Sequence, residues 1–598
     1  MELLDYYRDN LTYIRNLASE FSSEFPKIAG RLGLGEFECE DPYIERLLEG
    51  TAFLSARVEK KLDEGYYRLV ESVLNSIAPS ALYPIPSGAV VELAVNSGNE
   101  KVRSGAVLPA GTAVDVAIPT INTLCRFSTL EDTRLSHFVV EEAEYITRNL
   151  SDYGVNASQG YAGLRIKLSG AGAMAATDHL CFYINLAEAD ASLLLRQIMQ
   201  ETMAVYVRGG DKERFESLSG FSLDMPLAIG KNFLPGRIKG HVQGLRILQN
   251  FLSYPDFFKF FTLKHPEGLF PSSLTTAELL LVFARREPSL ASLKDSSLRL
   301  NCVPVMNLFA KRSDRVLIER EAYQFHVVPD RAAPQDYEVV HIQSLEFFNE
   351  QNETLFMADN FYEDNPLAER TRKNFFSQRR SKSLVNSRDT RRSSYDGVEV
   401  FVSFSVQEKK MEEAYQFAAE TICTNRDLPL LLPAEAFLSV HNPLLSGAAF
   451  IVRPTRPGYS LFHRGVDSDF SKISHVVFNL SALLWQNGKF PLEALRALLG
   501  SYQIRSGEEM ERILEGMASL ESERTVFRFI EGGAVFFEPG WKISFTLDET
   551  AYAGMGYYIF GKIVAEILRS FAPINTLLEI HFFTKQSGRI AVWKTLEN

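Results

Sequence analysis

Residues 26–63, PKIAGRLGLGEFECEDPYIERLLEGTAFLSARVEKKLD, contain the best-marked helix boundary in the chain. The stretch predicts a helix that ends in a Gly-rich turn, an acidic linker, and a second helix that begins at Asp41 and Pro42. An N-terminal Asp accepts hydrogen bonds from the free N–H groups of the first turn, and a Pro at the first helical position gives up a donor that had no partner. The start of the second helix is therefore well specified.

This second helix is more apolar than contact with one neighbouring helix requires. Ile44, Leu48, Thr51, Ser55, Val58 and Leu62 recur at helical spacing, and Leu47, Phe53 and Leu54 widen the face. Residues 3–25 also predict an amphipathic helix, because their apolar positions lie three or four apart. Such helices suit a bundle, and another chain can contribute to that bundle. The residues predicted to contact a partner are Leu3, Tyr7, Leu11, Ile14, Leu47, Leu48, Leu54 and Val58.

The alternative for the first helix is that its stripe faces the core of its own chain, and the pattern leaves this open. A third helical run, residues 66–77, is followed by PSALYPIPSG, which cannot continue a helix and predicts a domain boundary. From Ala89 the apolar period changes to two, which is typical of strands.

The predicted fold class is α+β and multidomain, with an N-terminal helical segment, several β-rich modules and a C-terminal α+β unit. The predicted domains are 1–85 (helical bundle segment), 86–235 (β-rich α+β), 236–345 (β-rich), 346–468 (β with a basic insertion at 370–392) and 469–598 (helical and α+β). Further predicted helices are residues 190–203, a short helix within 245–263 broken at Pro255 and followed by a strand, and residues 469–485, 491–499, 508–520 and 556–571. The segments LLEIHFFT and GRIAVW predict a closing hairpin.

The segment from Arg370 to Arg392 contains nine Lys and Arg residues and one acidic residue, Asp389. Its composition predicts a solvated, mobile insertion between strands. The alternative is a docking patch for an acidic protein, since the rest of the chain is acidic.

The bulk composition is that of a globular protein, with 46% hydrophobic and 23% charged residues and a formal net charge of −12. A negative surface is repelled by nucleic acid and by anionic membranes. The N-terminus has no signal-peptide pattern, and no apolar run is long enough to span a membrane. The five cysteines lie far apart, which predicts reduced, mostly buried thiols and a cytoplasmic location.

The sequence contains no convincing catalytic, cofactor or metal motif. The glycines of GAGAMA at 170–175 are followed by a strand pattern, so the segment predicts a hairpin loop and not a dinucleotide site. The histidines lack zinc-ligand spacing, and His475 is interpreted as a packed or capping residue. Asp548 and Glu549 would point to opposite faces of a strand, so they predict a turn and not an acid/base pair.

Several segments in order along the chain resemble the TssF family, baseplate subunits of the bacterial type VI secretion system. They are PKIAGRLG, EDPYIERLLEGTAFLSARVEKKLD, GLRILQNFLSYPDFFKFF, LNCVPVMNLF with HVVPD, CTNRDLP, SHVVFNLSALL and TLDETAYAGMGYYIFGKIVAEIL. Together they span nearly the whole chain. The segment HVVFNLSALL departs from the Leu-rich family version, and the basic insertion has no counterpart in it.

The resemblance implies a structural, non-enzymatic subunit without a cofactor. Two copies would pair with one TssG-like subunit into a wedge around the spike hub, with TssK-like adaptors, a TssE-like sheath connector and neighbouring wedges as further partners. It implies a cytoplasmic protein at the inner face of the inner membrane, without direct membrane insertion and without nucleic acid. Two alternatives stay open: a cytoplasmic enzyme with an unrecognised α+β site, and an acidic hub whose basic segment, Arg370 to Arg392, binds nucleic acid.

Overall fold

A computed structural model of the protein describes most of the chain. The described residues are 3–32, 41–77, 79–96, 99–103, 105–119, 121–154, 160–170, 178–209, 214–226, 243–266, 268–270, 276–319, 321–362, 374–382, 393, 395, 397–406, 408–433, 435–460, 491–500, 507–531, 534–572 and 576–594. The predicted helix at 469–485, with His475, lies outside them.

The described chain forms two compact units. Among the described residues, the helical unit comprises those up to Leu82 together with Ser460. The larger unit comprises those from Tyr83 to Tyr459 and from Pro491 onwards, and it contains the strands. The α-helices are α1 (Leu3–Glu24), α2 (Pro26–Ala29), α3 (Pro42–Ile77), α4 (Glu100–Arg103), α5 (Glu188–Gln200), α6 (Gln243–Ser253), α7 (Glu408–Glu413), α8 (Leu492–Gly500), α9 (Gly507–Glu515) and α10 (Tyr557–Ser570). This architecture confirms the predicted α+β, multidomain class.

Helix α3 begins where the sequence predicts, because the Asp41 carboxylate accepts a hydrogen bond from the Tyr43 N–H (2.9 Å) and Pro42 occupies the first turn. The prediction of a separate helix at 66–77 is wrong: α3 is one helix of 36 residues. Gly65 lies in its interior, where glycine costs about 1 kcal/mol but does not interrupt the hydrogen-bond ladder as a proline would.

Strands occupy the larger unit. The first half contains β1 (Gly88–Val95), β2 (Val107–Leu108), β3 (Ala113–Ile118), β4 (Ile121–Thr129), β5 (Thr133–Arg134), β6 (Phe138–Ile146), β7 (Ala162–Gly170), β8 (His179–Ile184), β9 (Thr202–Gly209), β10 (Glu216–Leu218), β11 (Ser222–Asp224), β12 (Phe260–Lys264), β13 (Thr276–Phe283), β14 (Leu298–Arg299) and β15 (Cys302–Met306). The second half contains β16 (Phe309–Arg312), β17 (Val316–Leu317), β18 (Phe325–His326), β19 (Glu338–Phe348), β20 (Thr354–Asn360), β21 (Phe375–Lys382), β22 (Val398–Ser405), β23 (Gln416–Thr424), β24 (Leu438–Val440), β25 (Leu445–Val452), β26 (Met517–Glu531), β27 (Ala534–Leu547), β28 (Leu577–Thr584) and β29 (Gly588–Lys594).

A closed barrel in the order β1-β15-β4-β3-β24-β25 lies within this unit. Its interior is filled by buried side chains, among them Val91, Val116, Phe127, Val303 and Leu438. The other sheets have the orders β10-β9-β13-β7-β6, β11-β12-β8-β14, β16-β23-β19-β20-β21-β22-β18 with β17 beside β23, β2-β5, and β26-β27-β28-β29. The larger sheets thus draw strands from distant parts of the chain.

The five predicted domains remain a prediction, and their boundaries do not follow the sheets. The barrel takes β1, β3 and β4 from segment 86–235, β15 from segment 236–345, and β24 and β25 from segment 346–468. Strand pairing at long sequence separation closes the barrel, and no local pattern reveals it.

The aromatic segment 245–263 has the predicted order of a helix, a break and a strand. Helix α6 stops before Pro255, a 3₁₀ turn spans Pro255–Phe258, and β12 follows. The Tyr254 hydroxyl donates to the Pro86 carbonyl (2.5 Å). A Cβ added at Gly88 would lie 2.7 Å from the rings of Tyr254 and Phe257, so this strand passes directly over the aromatic turn.

The C-terminal part confirms helix 491–499 (α8), helix 556–571 (α10) and the closing hairpin β28–β29. The predicted helix at 508–520 is wrong at its end, because α9 stops at Glu515 and β26 begins at Met517. A Cβ at the intervening Gly516 would lie 2.5 Å from the Ala551 Cβ, and Met517 pairs with Leu547 of β27. Pairing with β27 therefore overrides the local helical pattern.

The interpretation of 370–392 as a mobile insertion is wrong for residues 375–382, which form β21 and pair with β22 at every position. Arg380 is buried, and its guanidinium donates to the carbonyls of Val339 and Val340. Composition misled the prediction, because Arg380 donates to backbone carbonyls inside the sheet and Arg379 donates to the Gln324 side chain. Arg380 cannot serve a surface docking patch.

The prediction of a hairpin loop at GAGAMA is also wrong in topology. Strands β7 and β8, which flank it, belong to different sheets: β7 pairs with β6 and β13, and β8 pairs with β12 and β14. Residues 171–177 of the loop lie outside the described part.

Candidate assembly surfaces

Helices α1 and α3 pack against each other through a row of polar contacts. The Tyr6 hydroxyl donates to Asp63 (2.6 Å), Asn10 Nδ2 donates to Glu59 (2.6 Å), and Arg15 forms an ion pair with Glu45. These contacts run in opposite directions along the two helices, so the pair is antiparallel. Ala52 and Ala56, on the same side of α3, are completely buried.

The opposite side of α3 is apolar and uncovered within the described residues. At 100° per residue, six exposed side chains fall within an arc of about 100°. They are between 59% and 83% exposed, and we call them the α3 stripe: Tyr43, Leu47, Leu54, Val58, Leu62 and Leu69. Contiguous exposed apolar surface of this kind marks an interaction site in soluble proteins.

Small residues lie within the α3 stripe. A Cβ added at Gly50 or Gly65 would meet nothing within 4 Å, so these two positions leave open space on the helix surface. The Thr51 hydroxyl donates to the Leu47 carbonyl one turn earlier (2.8 Å), which leaves its methyl group available for apolar contact. The stripe therefore offers both side chains to be covered and places where a second backbone can approach closely.

The structure separates the eight predicted interface residues into two groups. Leu47, Leu54 and Val58 belong to the α3 stripe and are exposed. The other five are half-buried: Leu3, Tyr7, Leu11, Ile14 and Leu48. Leu48 lies on the side of α3 that faces α1. The sequence pattern did not separate the groups, because the apolar residues of α3 extend around both sides.

A second exposed apolar surface lies at the far end of the β26–β27 hairpin. Strands β26 and β27 pair along their length, from Met517 with Leu547 to Glu531 with Ala534. Strand β28 pairs with β27 only from Gly540 onwards. The part beyond, Thr525–Pro539, we call the distal hairpin. Among the side chains of this part that the structure describes, Val526, Val535, Phe536 and Phe537 are apolar and exposed. The sequence analysis missed this surface, because an apolar run in a strand predicts burial. The available signal was Pro539, which has no N–H group and so cannot form the full set of hydrogen bonds to strands on both sides.

Residues of the ordered sequence motifs hold the larger unit together. In CTNRDLP, the Asn425 side-chain oxygen accepts from the Arg126 N–H (3.1 Å) and from Asn307 Nδ2 (2.8 Å), which links the end of β23 to the barrel. The Asp427 carboxylate accepts from both the N–H and the hydroxyl of Ser393 (2.8 and 2.9 Å). These side chains have structural partners on strands and turns.

The buried carboxyl of Glu338 is equally structural. Glu338 is 1% exposed, and it accepts hydrogen bonds from the Val398 N–H (2.7 Å) and the Tyr395 hydroxyl (2.9 Å). Burial raises the pKa of Glu338, although Arg426 and these donors oppose the shift. A carboxyl closed off in this way stabilises the junction of β19 and β22.

The predicted turn at Asp548 and Glu549 is confirmed. The Asp548 carboxylate accepts from the N–H and the hydroxyl of Thr550 (3.2 and 2.6 Å), which lowers its pKa, and Glu549 accepts from the Thr584 hydroxyl (2.5 Å). Among the described residues no three His, Cys, Asp or Glu side chains are grouped to hold a metal ion. Of the cysteines within that part of the chain, Cys125, Cys302 and Cys423 are buried and Cys181 is half-buried, all as free thiols.

These features define a multidomain α+β protein with a helical unit whose longest helix carries an uncovered apolar stripe. The family model "Type VI secretion system, TssF" matches residues 1–597, and the chain therefore belongs to the TssF family. No described helix is both long and apolar enough to cross a membrane.

Comparisons with individual proteins agree with the family. The chain is 31% identical over 620 residues to the type VI secretion system component TssF1 of Pseudomonas aeruginosa, covering 99% of this chain and 98% of that protein. Its fold resembles a chain of the type VI secretion system TssK-TssF-TssG baseplate subcomplex solved by cryo-electron microscopy, with a TM-score of 0.71, 19% identity, and coverage of 93% and 98%. A chain of the baseplate complex from the type VI secretion system gives a TM-score of 0.54 at 20% identity, covering 100% and 98%.

Proposed function

We propose that this protein is a non-enzymatic structural subunit of the type VI secretion baseplate. In this proposal two copies assemble with one TssG-like subunit into the wedge that surrounds the spike hub and supports sheath and tube assembly. Membership of the TssF family and the fold shared with a chain of the TssK-TssF-TssG subcomplex support it. The observation that carries it is the α3 stripe, six exposed apolar side chains on a helix whose other side already packs against α1.

In the proposed wedge, the helical unit joins an intersubunit bundle through the α3 stripe. Leucines and a valine spaced along one side of a long helix fit between the side chains of a second helix, and Gly50 and Gly65 let that helix approach closely. The half-buried residues Leu3, Tyr7, Leu11 and Ile14 border the same bundle from α1.

The larger unit supplies the remaining contacts in this proposal. A second copy of the chain, a TssK-like adaptor, a TssE-like sheath connector, the spike hub and neighbouring wedges are the partners. The distal hairpin, with its four exposed apolar side chains, is a candidate surface for one of them. The net charge of −12 disfavours nucleic acid as a partner. The protein would act in the cytoplasm, at the inner face of the inner membrane.

No observation favours the enzymatic alternative. The buried carboxyl Glu338 and the turn carboxylates Asp548 and Glu549 have structural partners. In the described part of the chain, many of the ionisable side chains with shifted pKa values lie in ion pairs, such as Arg126 with Asp115 and Arg165 with Glu278. Burial of interfaces between subunits would therefore carry the function.

The test is co-expression with TssG-like and TssK-like proteins from the same organism, followed by native mass spectrometry of the purified complex. We expect a stable complex with two copies of this chain to one TssG-like subunit. A monodisperse monomer that ignores its co-expressed neighbours would contradict the proposal. A complex of another stoichiometry would contradict the two-to-one wedge alone.

A further inference from the structure

A cationic cleft lies in the larger unit beside the last strand, β29. Its volume is about 600 Å³, within the range of ligand-sized sites. Four cationic side chains and two carboxylates line it: Arg196, Arg285, Arg589, Lys594, Glu201 and Glu579. The lining therefore has a net positive charge in a chain whose net charge is −12.

Strand β29 presents a free edge to this cleft. It is the last strand of its sheet and, among the described residues, pairs only with β28. Ala591 and Trp593 are buried, whereas Ile590 and Val592, which line the cleft, are only half-buried. A free edge of this kind exposes N–H and C=O groups that can pair with another extended chain.

Arg196 is fixed in position at the base of the cleft. The residue is 7% exposed, and its guanidinium donates to the Tyr557 hydroxyl (2.6 Å) and to Glu287 (3.1 Å), with Glu201 at 3.6 Å. A positive charge held by three partners from separate elements does not need to reorganise when an anion approaches.

The rim of the cleft carries exposed charges. Arg285 and Arg589 are both exposed. Lys594 lies 3.7 Å from Glu579, and Glu579 is also 2.5 Å from the imidazole of His581. Lys594 therefore offsets the charge of Glu579 within the cleft, which leaves Arg285 and Arg589 to attract a ligand of opposite charge.

We propose that this cleft binds an extended acidic segment of a partner protein, which adds as a strand to the free edge of β29. Backbone pairing with β29 would give affinity, and Asp or Glu side chains at alternate positions would meet Arg285 and Arg589. Small apolar side chains between them would cover Ile590 and Val592. The inference rests on the proposed function, because the partner is a subunit of the same assembly.

Charge complementarity and the free edge together favour this occupant. A nucleic-acid strand would also meet the cations, but it cannot pair with the N–H and C=O groups of β29 in register. Ile590 and Val592 give it no phosphate contact. An acidic protein segment would contact the cations, pair with the free edge of β29, and cover the apolar side chains of Ile590 and Val592.

The experiment places a photo-crosslinking amino acid at Ile590 of the full chain, co-expressed with its neighbouring baseplate subunits. We expect a crosslink to an Asp- and Glu-rich segment of a protein partner, and slower hydrogen exchange of β29 in the assembly than in the free chain. In Arg285→Glu/Arg589→Glu, we expect the crosslink to disappear and the affinity for that partner to fall about tenfold or more. The matched control, Arg148→Glu/Arg286→Glu, reverses the charge of two exposed arginines outside the cleft. It should leave the crosslink and the affinity for the partner unchanged.

The outcomes separate the two proposals. If the assembly forms while Ile590 yields no protein crosslink and β29 exchanges as in the free chain, the inference is overturned and the proposed function stands. A crosslink to nucleic acid alone, or equal losses in the double variant and its control, would also overturn it. If the wild-type chain forms no assembly, the proposed function itself fails.

Discussion

Charge placed on the α3 stripe should abolish subunit association without unfolding the chain. The perturbation is Leu47→Asp/Leu54→Asp, at positions that are 69% and 61% exposed. Complete burial of a leucine contributes about 1.5–3 kcal/mol, so covering the exposed parts of these two gives about 1–2 kcal/mol each. Losing both costs about 2–4 kcal/mol of binding, which is a roughly 30- to 700-fold weaker complex. A carboxylate buried without a partner adds several kcal/mol.

The stability of the free chain should change little. Both side chains already contact water, so only the lower helix propensity of Asp counts, at most about 1 kcal/mol for the pair. Affinity for the TssG-like partner would be measured by isothermal titration calorimetry, and unfolding of the free chain by circular dichroism. The control is Leu124→Asp/Leu317→Asp, two leucines on strands that are 49% and 52% exposed.

The reasoning would be refuted by unaltered affinity in Leu47→Asp/Leu54→Asp, or by an equal loss in the control. The single change Leu48→Asp makes a useful contrast. Leu48 is half-buried on the side facing α1, so its carboxylate should destabilise the helical unit before any partner is added.

Three further predictions concern stability, each measured by urea unfolding. Arg380→Met should lower the free energy of unfolding by about 1–3 kcal/mol, because two buried carbonyls lose their donor, whereas the half-buried Arg379→Met should cost less than about 1 kcal/mol. Gly244→Ala should destabilise by about 1–3 kcal/mol, since its Cβ would lie 2.8 Å from the Ile567 Cα, while Gly50→Ala, with nothing within 4 Å, should stabilise α3. Glu338→Gln should lose less stability than the wild type as the pH rises above about 4, the ordinary pKa of a glutamate, because the protonated carboxyl stabilises the fold below that pKa and this contribution is lost as the pH rises through the raised folded-state pKa. Equal slopes of stability against pH would show that the pKa of Glu338 is not raised in the folded chain.

The parts of the fold that the sequence predicted correctly are those set by local chemistry. The start of α3 follows from Asp41 and Pro42, which act within one turn of the helix. The break between α6 and β12 follows from Pro255, and the closing hairpin β28–β29 follows from apolar runs joined by a short turn. In each case the residues that decide the structure are neighbours in sequence.

The parts that were missed depend on partners far away in the chain. The local pattern of residues 517–520 predicts a helix, but this segment pairs with β27 and forms a strand. The composition of β21, with its arginines, predicts a solvated loop. The carbonyls of β19 that accept from Arg380 lie about forty residues earlier in the chain, so the local sequence does not reveal them. Closure of the barrel between β1 and β25 joins residues more than 340 positions apart, and a single sequence does not record such pairings.

For the candidate site, the sequence predicted an excess of apolar surface on α3 but not which residues remain uncovered. That distinction depends on how α1 is attached. The contacts of Tyr6, Asn10 and Arg15 all reach one side of α3, and this side carries Ala52 and Ala56, which allow close packing. Polar ties fix α1 on that side without using the leucines of the stripe. The apolar residues of the α3 stripe therefore remain exposed in this unit, and under the proposed function they are the surface that a helix of a second chain would cover.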